Sequence, residues 1–145
     1  MSKMLIRFLC LLTLLAGCQG VTGQSEEVRP LMLGEKPEVS QNKADEAKQI
    51  VLSMDEVLEV KGVELDDDIY IAPRVKQFDR FHLKGIRKEG HDHIKKRYPD
   101  ANVHVSTDRK IYMELEKLEK QLKENKLTEK QLKEKVKKLE DDMKG

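Results

Sequence analysis

The stretch 57-VLEVKGVELDDDIYIAPRV-75 decides how this chain folds. Two runs rich in Val and Ile flank Asp66, Asp67 and Asp68. β-Branched side chains suit a pleated surface and short acidic ones suit a tight turn, so the stretch reads as a β-hairpin. Pro73 has no N–H to give a neighbouring strand, which places it at an edge or beside a bulge. The three aspartates lack the alternating ligands, central Gly and distal Glu of an EF-hand loop, and read as a charged turn.

Upstream of the hairpin, Ala44, Ala47, Ile50, Val51 and Met54 recur at helical spacing and predict a first helix from about Lys43. Downstream, Asp79 is a favourable N-cap for a second helix, with Phe78 placed to staple onto Leu83. Leu83, Ile86, Gly90 and Ile94 share its inner face, and Pro99-Asp100 ends it. "NVHVS", residues 102–106, reads as a third strand with Val103 and Val105 inward and His104 outward. Residues 43–107 are therefore expected to form a small α+β domain in the order α-β-β-α-β. Its three-stranded sheet should be largely antiparallel or mixed, with the helices on one face.

Residues 108–145 read as a charged amphipathic helical arm. Ile111, Leu115, Leu118 and Leu122 form an apolar stripe, flanked by Glu116→Lys120 and Glu119→Lys123 pairs at i,i+4. The stripe breaks at Asn125 and Glu129, so a bend is expected near 125–128. Thr128 with Gln131 makes a capping box, and Leu127 with Leu132 a staple, opening a last helix that carries Leu132, Val136, Leu139 and Met143. Each stripe runs about two heptads, short of the three or four a coiled coil needs. Intramolecular packing and a seam for a protein partner both remain open.

The N-terminus is of another kind. Lys3 and Arg7 precede an apolar run from Phe8 to Leu15, too short for the ~20 residues of a bilayer span. Leu15-Ala16-Gly17-Cys18 then places small residues before a cysteine. This resembles the lipobox of bacterial lipoproteins, in which the leader is cut away and the cysteine sulfur carries lipid. Residues 1–17 are thus expected to be a signal peptide, Cys18 the lipid attachment point, and 18–42 a flexible tether. Leu31-Met32-Leu33 is too brief to nucleate structure alone. Cutting removes Lys3 and Arg7, leaving 26 basic against 27 acidic residues, and leaves Cys18 as the last of two cysteines. Neither a disulfide nor a cysteine nucleophile is then available. Two or more acyl chains anchor stably where one holds only marginally.

Little in the remainder suggests catalysis. No nucleophile elbow, P-loop, HExxH or dinucleotide turn is present. His91 and His93 flank Asp92 at i,i+2, about 200° apart on a helix, so they cannot share one ion. His82 and His104 have no evident partner. No metal, cofactor or catalytic residue is expected, and no enzyme. A balance of 28 basic against 27 acidic residues gives no global field for nucleic acid. The second helix, however, is locally basic: Lys84, Lys88 and Lys95 lie along one flank. They are either a solvated face or a surface for anionic lipid or envelope polymer.

The lipobox together with "VKQFDRFHLKGIRK" (75–88) and "KKRYPDANVHVSTDRKIYMELEKL" (95–118) resembles the YhcN/YlaJ family of sporulation lipoproteins, most closely its YlaJ-like members. The resemblance implies a non-catalytic, lipid-anchored protein on the extracytoplasmic face of the spore or forespore membrane. Its role would be accessory, in spore assembly, germination or outgrowth. Only Cys18 is carried over from the family as a functional residue.

Overall fold

The computed structural model describes residues 29–34 and 39–144. Cys18 and the leader, and with them the predicted cleavage and lipidation, lie outside the described residues. Helix α1 (Asn42–Leu52) leads into β1 (Val57–Leu65) and β2 (Asp68–Val75). A 3-10 helix (Gln77–His82), α2 (Leu83–Arg97) and β3 (Asn102–Val105) follow, then α3 (Arg109–Lys123) and α4 (Glu129–Lys144). The fold is α+β in the expected order. Among the described residues no helix is long and apolar enough to cross a membrane.

The sheet has the order β1-β2-β3, antiparallel between β1 and β2 and parallel between β2 and β3. Asp66 takes a left-handed φ of 55°, which a short polar side chain tolerates, and the strands close directly on Leu65 opposite Asp68. Pro73 lies in the central strand, but β3 pairs only with Asp68–Ile71, so that flank of β2 is unpaired where the proline sits. The pairing also shifts between Val57 and Glu59, close to Val60, the partner of Pro73.

Alternation along the strands separates two cores. Val60, Ile69 and Ile71 pack beneath Ala47 and Val51 of α1 and Ile86 and Ile94 of α2. Both helices of the predicted domain therefore share one face. Val63, Tyr70 and Ala72 point the other way, under Ile111, Leu115, Leu118 and Leu122 of α3 and Leu132, Val136 and Leu139 of α4. The C-terminal segment is thus no projecting arm. It forms the second layer of helices, and its apolar stripes pack against the sheet. The central strand carries apolar residues at consecutive positions, Ile69 to Ala72, so both faces of the sheet are apolar and one layer of helices covers only one of them.

The bend is built as the local chemistry demands. Asn125 sits at a left-handed φ of 55°, Lys126 N–H bonds to Gln121 C=O and Asn125 N–H to Leu122 C=O, closing α3 in a Schellman motif. Thr128 N–H donates to Gln131 Oε1 at 3.0 Å and Gln131 N–H to Thr128 Oγ1 at 3.3 Å, completing the capping box that opens α4. The start of α2 departs from expectation. Asp79 makes no cap but lies inside the 3-10 helix, its N–H bonded to Lys76 C=O, and α2 begins four residues later. Phe78 consequently staples nothing.

The open flank of β1 is sealed by side chains. Gln41 mimics a strand neighbour: its Oε1 accepts Glu64 N–H and its Nε2 donates to Glu64 C=O, both at 2.9 Å. Glu119 of α3 accepts Gly62 N–H at 2.8 Å and meets Lys48 of α1 at 3.1 Å; neither charge touches solvent. Glu119 therefore does not make the predicted surface pair with Lys123. Burial pushes its carboxyl above the usual range, and Lys48 and the Gly62 N–H pull it back only in part. A side chain at Gly62 would strike Ile71 Cδ1 at 2.4 Å and Tyr70 O at 2.8 Å, so only glycine fits here.

Part of the stretch read as tether is docked on this seal. Lys48 Nζ donates to Leu31 C=O, and Asp45 Oδ2 accepts Leu33 N–H at 2.7 Å and Gly34 N–H at 2.6 Å. Leu33 is buried with the second core. The tether reading does not hold for residues 29–34. Too short to nucleate alone, they bind a charged cluster that other elements assemble.

Candidate functional site

The opposite side of the sheet is open. Beyond β3, α2 and α4 stand apart around a groove of about 420 Å³. Lys84, Arg87 and Lys88 reach it from α2, His104 from β3, and Glu140 and Lys144 from α4. Four permanent cations against one carboxylate make it a basic site, suited to a phosphate or carboxylate ligand. Lys88 is tied to Asp92 at 2.5 Å, which raises the lysine and lowers the aspartate from their ordinary values.

Of the three lysines singled out in the sequence, Lys84 and Lys88 meet here and Lys95 does not. Lys95 Nζ donates to Pro99 C=O at 2.6 Å and Ala101 C=O at 2.9 Å, fastening the turn after α2. Arg87 and Lys144 belong to the groove instead. Arg87 lies one turn beyond Lys84 on α2 and was visible in the sequence; Lys144 comes from a helix whose position was not.

At the floor of the groove stands a cluster the sequence concealed. His104 stacks on Tyr70, ring centroids 4.6 Å apart and 7° from parallel. Its Nε2 lies 3.0 Å from Asp68 Oδ1, and Tyr70 O–H donates to Glu140 Oε1. Burial and that bond raise the Tyr70 phenol far above its usual value. Donor atoms of Asp68, His104 and Glu140 lie within 4.8 Å of one another, close enough to converge on a divalent ion. The surroundings oppose it: Lys144 Nζ is 4.0 Å from Glu140 Oε2, and the basic wall faces the same space. The cluster serves as a polar clamp between β2, β3 and α4. His91 also lines the groove, 3.3 Å from Asp92, whereas His93 stays exposed, 4.0 Å from Glu89, so the two histidines do not converge.

A second hollow, about 650 Å³, lies beside the 3-10 helix. Pro73, Val75, Leu83 and Met113 give it apolar walls, with Arg80 and Arg109 among its lining. Next to it Phe78 and Phe81 are 88% and 90% exposed. The described residues contain no cysteine, and the two histidines lining the groove, His91 and His104, each meet a carboxylate, not a hydroxyl. The arrangement is suited to anions, and among the described residues no hydroxyl or thiol in the groove is hydrogen-bonded to a histidine.

The sequence model of the family described as "Sporulation lipoprotein YhcN/YlaJ" matches residues 22–144. No curated protein and no solved structure matches the chain.

Proposed function

Because the chain belongs to the YhcN/YlaJ family of sporulation lipoproteins, we propose that it is a non-catalytic accessory protein. Lipid on Cys18 holds it on the extracytoplasmic face of the spore or forespore membrane. There it presents its folded surface during spore assembly, germination or outgrowth. The observation that carries this reading is Leu15-Ala16-Gly17-Cys18, placed directly after a basic and apolar leader. The test is mass spectrometry of the native N-terminus. The expected product begins at Cys18 and carries diacylglycerol; an intact Met1, or a free thiol at Cys18, sinks the reading. In the sporulating host, a Cys18→Ala strain should show the phenotype of a deletion strain.

One observation favours a second, compatible reading. Lys84, Arg87, Lys88 and Lys144 converge on one groove, which supports a binding module for anionic lipid or envelope polymer. Binding of this kind weakens steeply with salt. Unchanged binding from low to high ionic strength, or none at low salt, counts against it.

A further inference from the structure

The chain has three phenylalanines, and the two outside the leader, Phe78 and Phe81, both stand in solvent. They lie on the 3-10 helix Gln77–His82, which buries no residue at all. Elsewhere the cores are filled by aliphatic side chains and Tyr70. Large apolar groups offered at a protruding turn mark a contact surface. Their neighbours narrow the partner. Between residues 76 and 88 there are five basic residues, Lys76, Arg80, Lys84, Arg87 and Lys88, against Asp79 alone, and all five are exposed. Aromatic tips ringed by cations match the apolar boundary and phosphate layer of an anionic bilayer.

The direction of the chain agrees. Leu33 and Gly34 bond to Asp45, whereas Leu31 bonds to Lys48 and Met32 lies against Gln49. Followed toward the N-terminus, the docked segment advances along α1 toward its C-terminal end. Beyond that end Lys76 N–H bonds to Glu56 C=O and Lys76 Nζ to Asp55 C=O, immediately before the 3-10 helix. From Gly34 back to Leu31 the segment therefore runs toward the pole that carries the two phenylalanines. Arg29 lies eleven positions after Cys18, at most about 40 Å of chain. A lipid at Cys18 would keep that pole within reach of the bilayer.

We infer that the 3-10 segment is a second, non-covalent membrane contact. Phe78 and Phe81 enter the headgroup–acyl boundary of an anionic bilayer, and Lys76, Arg80, Lys84 and Arg87 meet its phosphates. This rests on the reading that the chain is membrane-held, and the test separates the two.

The chain contains no Trp, so Phe81→Trp installs a single reporter at an exposed site. The full lipidated variant is reconstituted into phosphatidylglycerol vesicles and, separately, phosphatidylcholine vesicles, each with and without acyl chains brominated near the headgroup. The expected result in phosphatidylglycerol is a blue shift of about 10 nm or more and quenching by the brominated chains. Both should diminish in phosphatidylcholine and with Arg80→Glu plus Lys84→Glu. Vesicle-bound protein whose Trp emits as in water, unquenched, overturns the inference and leaves the anchor standing. Equal shifts in both lipids and no effect of charge reversal overturn the cationic part. Should the protein fail to float with vesicles, the anchor reading falls, and the emission in excess vesicles still decides this one. Unchanged circular dichroism and Tm confirm that the variants fold.

Discussion

The two outer strands of the sheet are treated in opposite ways. Along β1, Gln41 answers the backbone of Glu64, Glu119 answers Gly62, and residues 31–34 are laid across the charges that reach there. Along β3 the flank opens into a groove walled by lysine and arginine, and the adjoining turn holds two phenylalanines in solvent. An unsealed strand edge recruits other chains. Here the edge that would pair indiscriminately is closed at the cost of burying Asp45, Lys48 and Glu119, while the side left open is guarded by like charge. Stability and function are thereby divided between the two sides. Substitutions on the β1 side should be felt by the fold, and those of the exposed cations and phenylalanines on the β3 side only by whatever binds there.

The sharpest way to break this division is at Glu119. Glu119→Leu takes one of two carboxylates from buried Lys48, leaving Asp45 Oδ1 at 2.9 Å, and strips Gly62 N–H of its acceptor. A loss of about 3 kcal/mol in urea unfolding is expected. The triple variant Asp45→Asn/Lys48→Met/Glu119→Leu should recover part of it, because no buried charge is then left without a partner. A triple variant no better than the single one would show that the ion cluster itself, not a charge left short of partners, carries the stability.

Gln41→Met comes next. It preserves volume and deletes both bonds to Glu64, for an expected loss of about 1–3 kcal/mol. Hydrogen exchange of the Glu64 amide should accelerate before that of β2. If β1 exchanges no faster, the edge is held by the sheet alone and Gln41 is incidental.

Helix docking can be read optically. All three tyrosines donate to a glutamate of another element: Tyr70 to Glu140, Tyr98 to Glu46, Tyr112 to Glu59. Burial and these bonds raise every phenol, Tyr98 to about 12. In the unfolded chain tyrosine ionises near 10. Between roughly 10 and 12 the unfolded state therefore releases protons that the folded state keeps, and stability falls as pH rises through that window. Absorbance at 295 nm should show little tyrosinate at pH 10 and a cooperative rise with unfolding. Independent titration near 10 would mean that the bonds do not form in solution.

These partners show why some of the molecule was legible in its sequence and some was not. The hairpin turn, the Schellman motif at Asn125 and the capping box at Thr128 involve residues within six positions, so local chemistry specifies them. The β1 seal joins residues 23, 57 and 71 apart, and nothing local pairs them. A signal was nonetheless present. Lys48 stands between Ala44 and Val51 on the apolar face of α1, and Glu119 between Leu115 and Leu122 on that of α3. Opposite charges embedded in two apolar stripes point to a buried pair. His104 was assigned outward correctly by alternation; the "outside" proved to be the face that α4 covers. Asp79 misled because the N-cap preference is met in any turn, and the chain spends that turn on a 3-10 helix instead of on α2. The groove was half visible: the basic run on α2 is local, but Glu140 and Lys144 reach it only through the return of α4.

The smallest expected effect is the most discriminating for the open side. Phe78→Ser/Phe81→Ser removes two aromatic rings, which in a core would cost several kcal/mol. Both rings are about nine-tenths exposed, so unfolding should shift by no more than about 0.5 kcal/mol. The unfolded chain exposes the same rings to water, so their removal changes both states alike. Lys84→Glu/Lys88→Glu should be nearly as quiet; Lys88 loses an exposed partner in Asp92, and such pairs contribute little. Should either double variant destabilise the isolated protein by 2 kcal/mol, the open side is structural after all, and its aromatic tip packs in solution against something within the chain. Should both be silent in unfolding yet weaken vesicle association, the separation of the two sides holds at the level of single side chains.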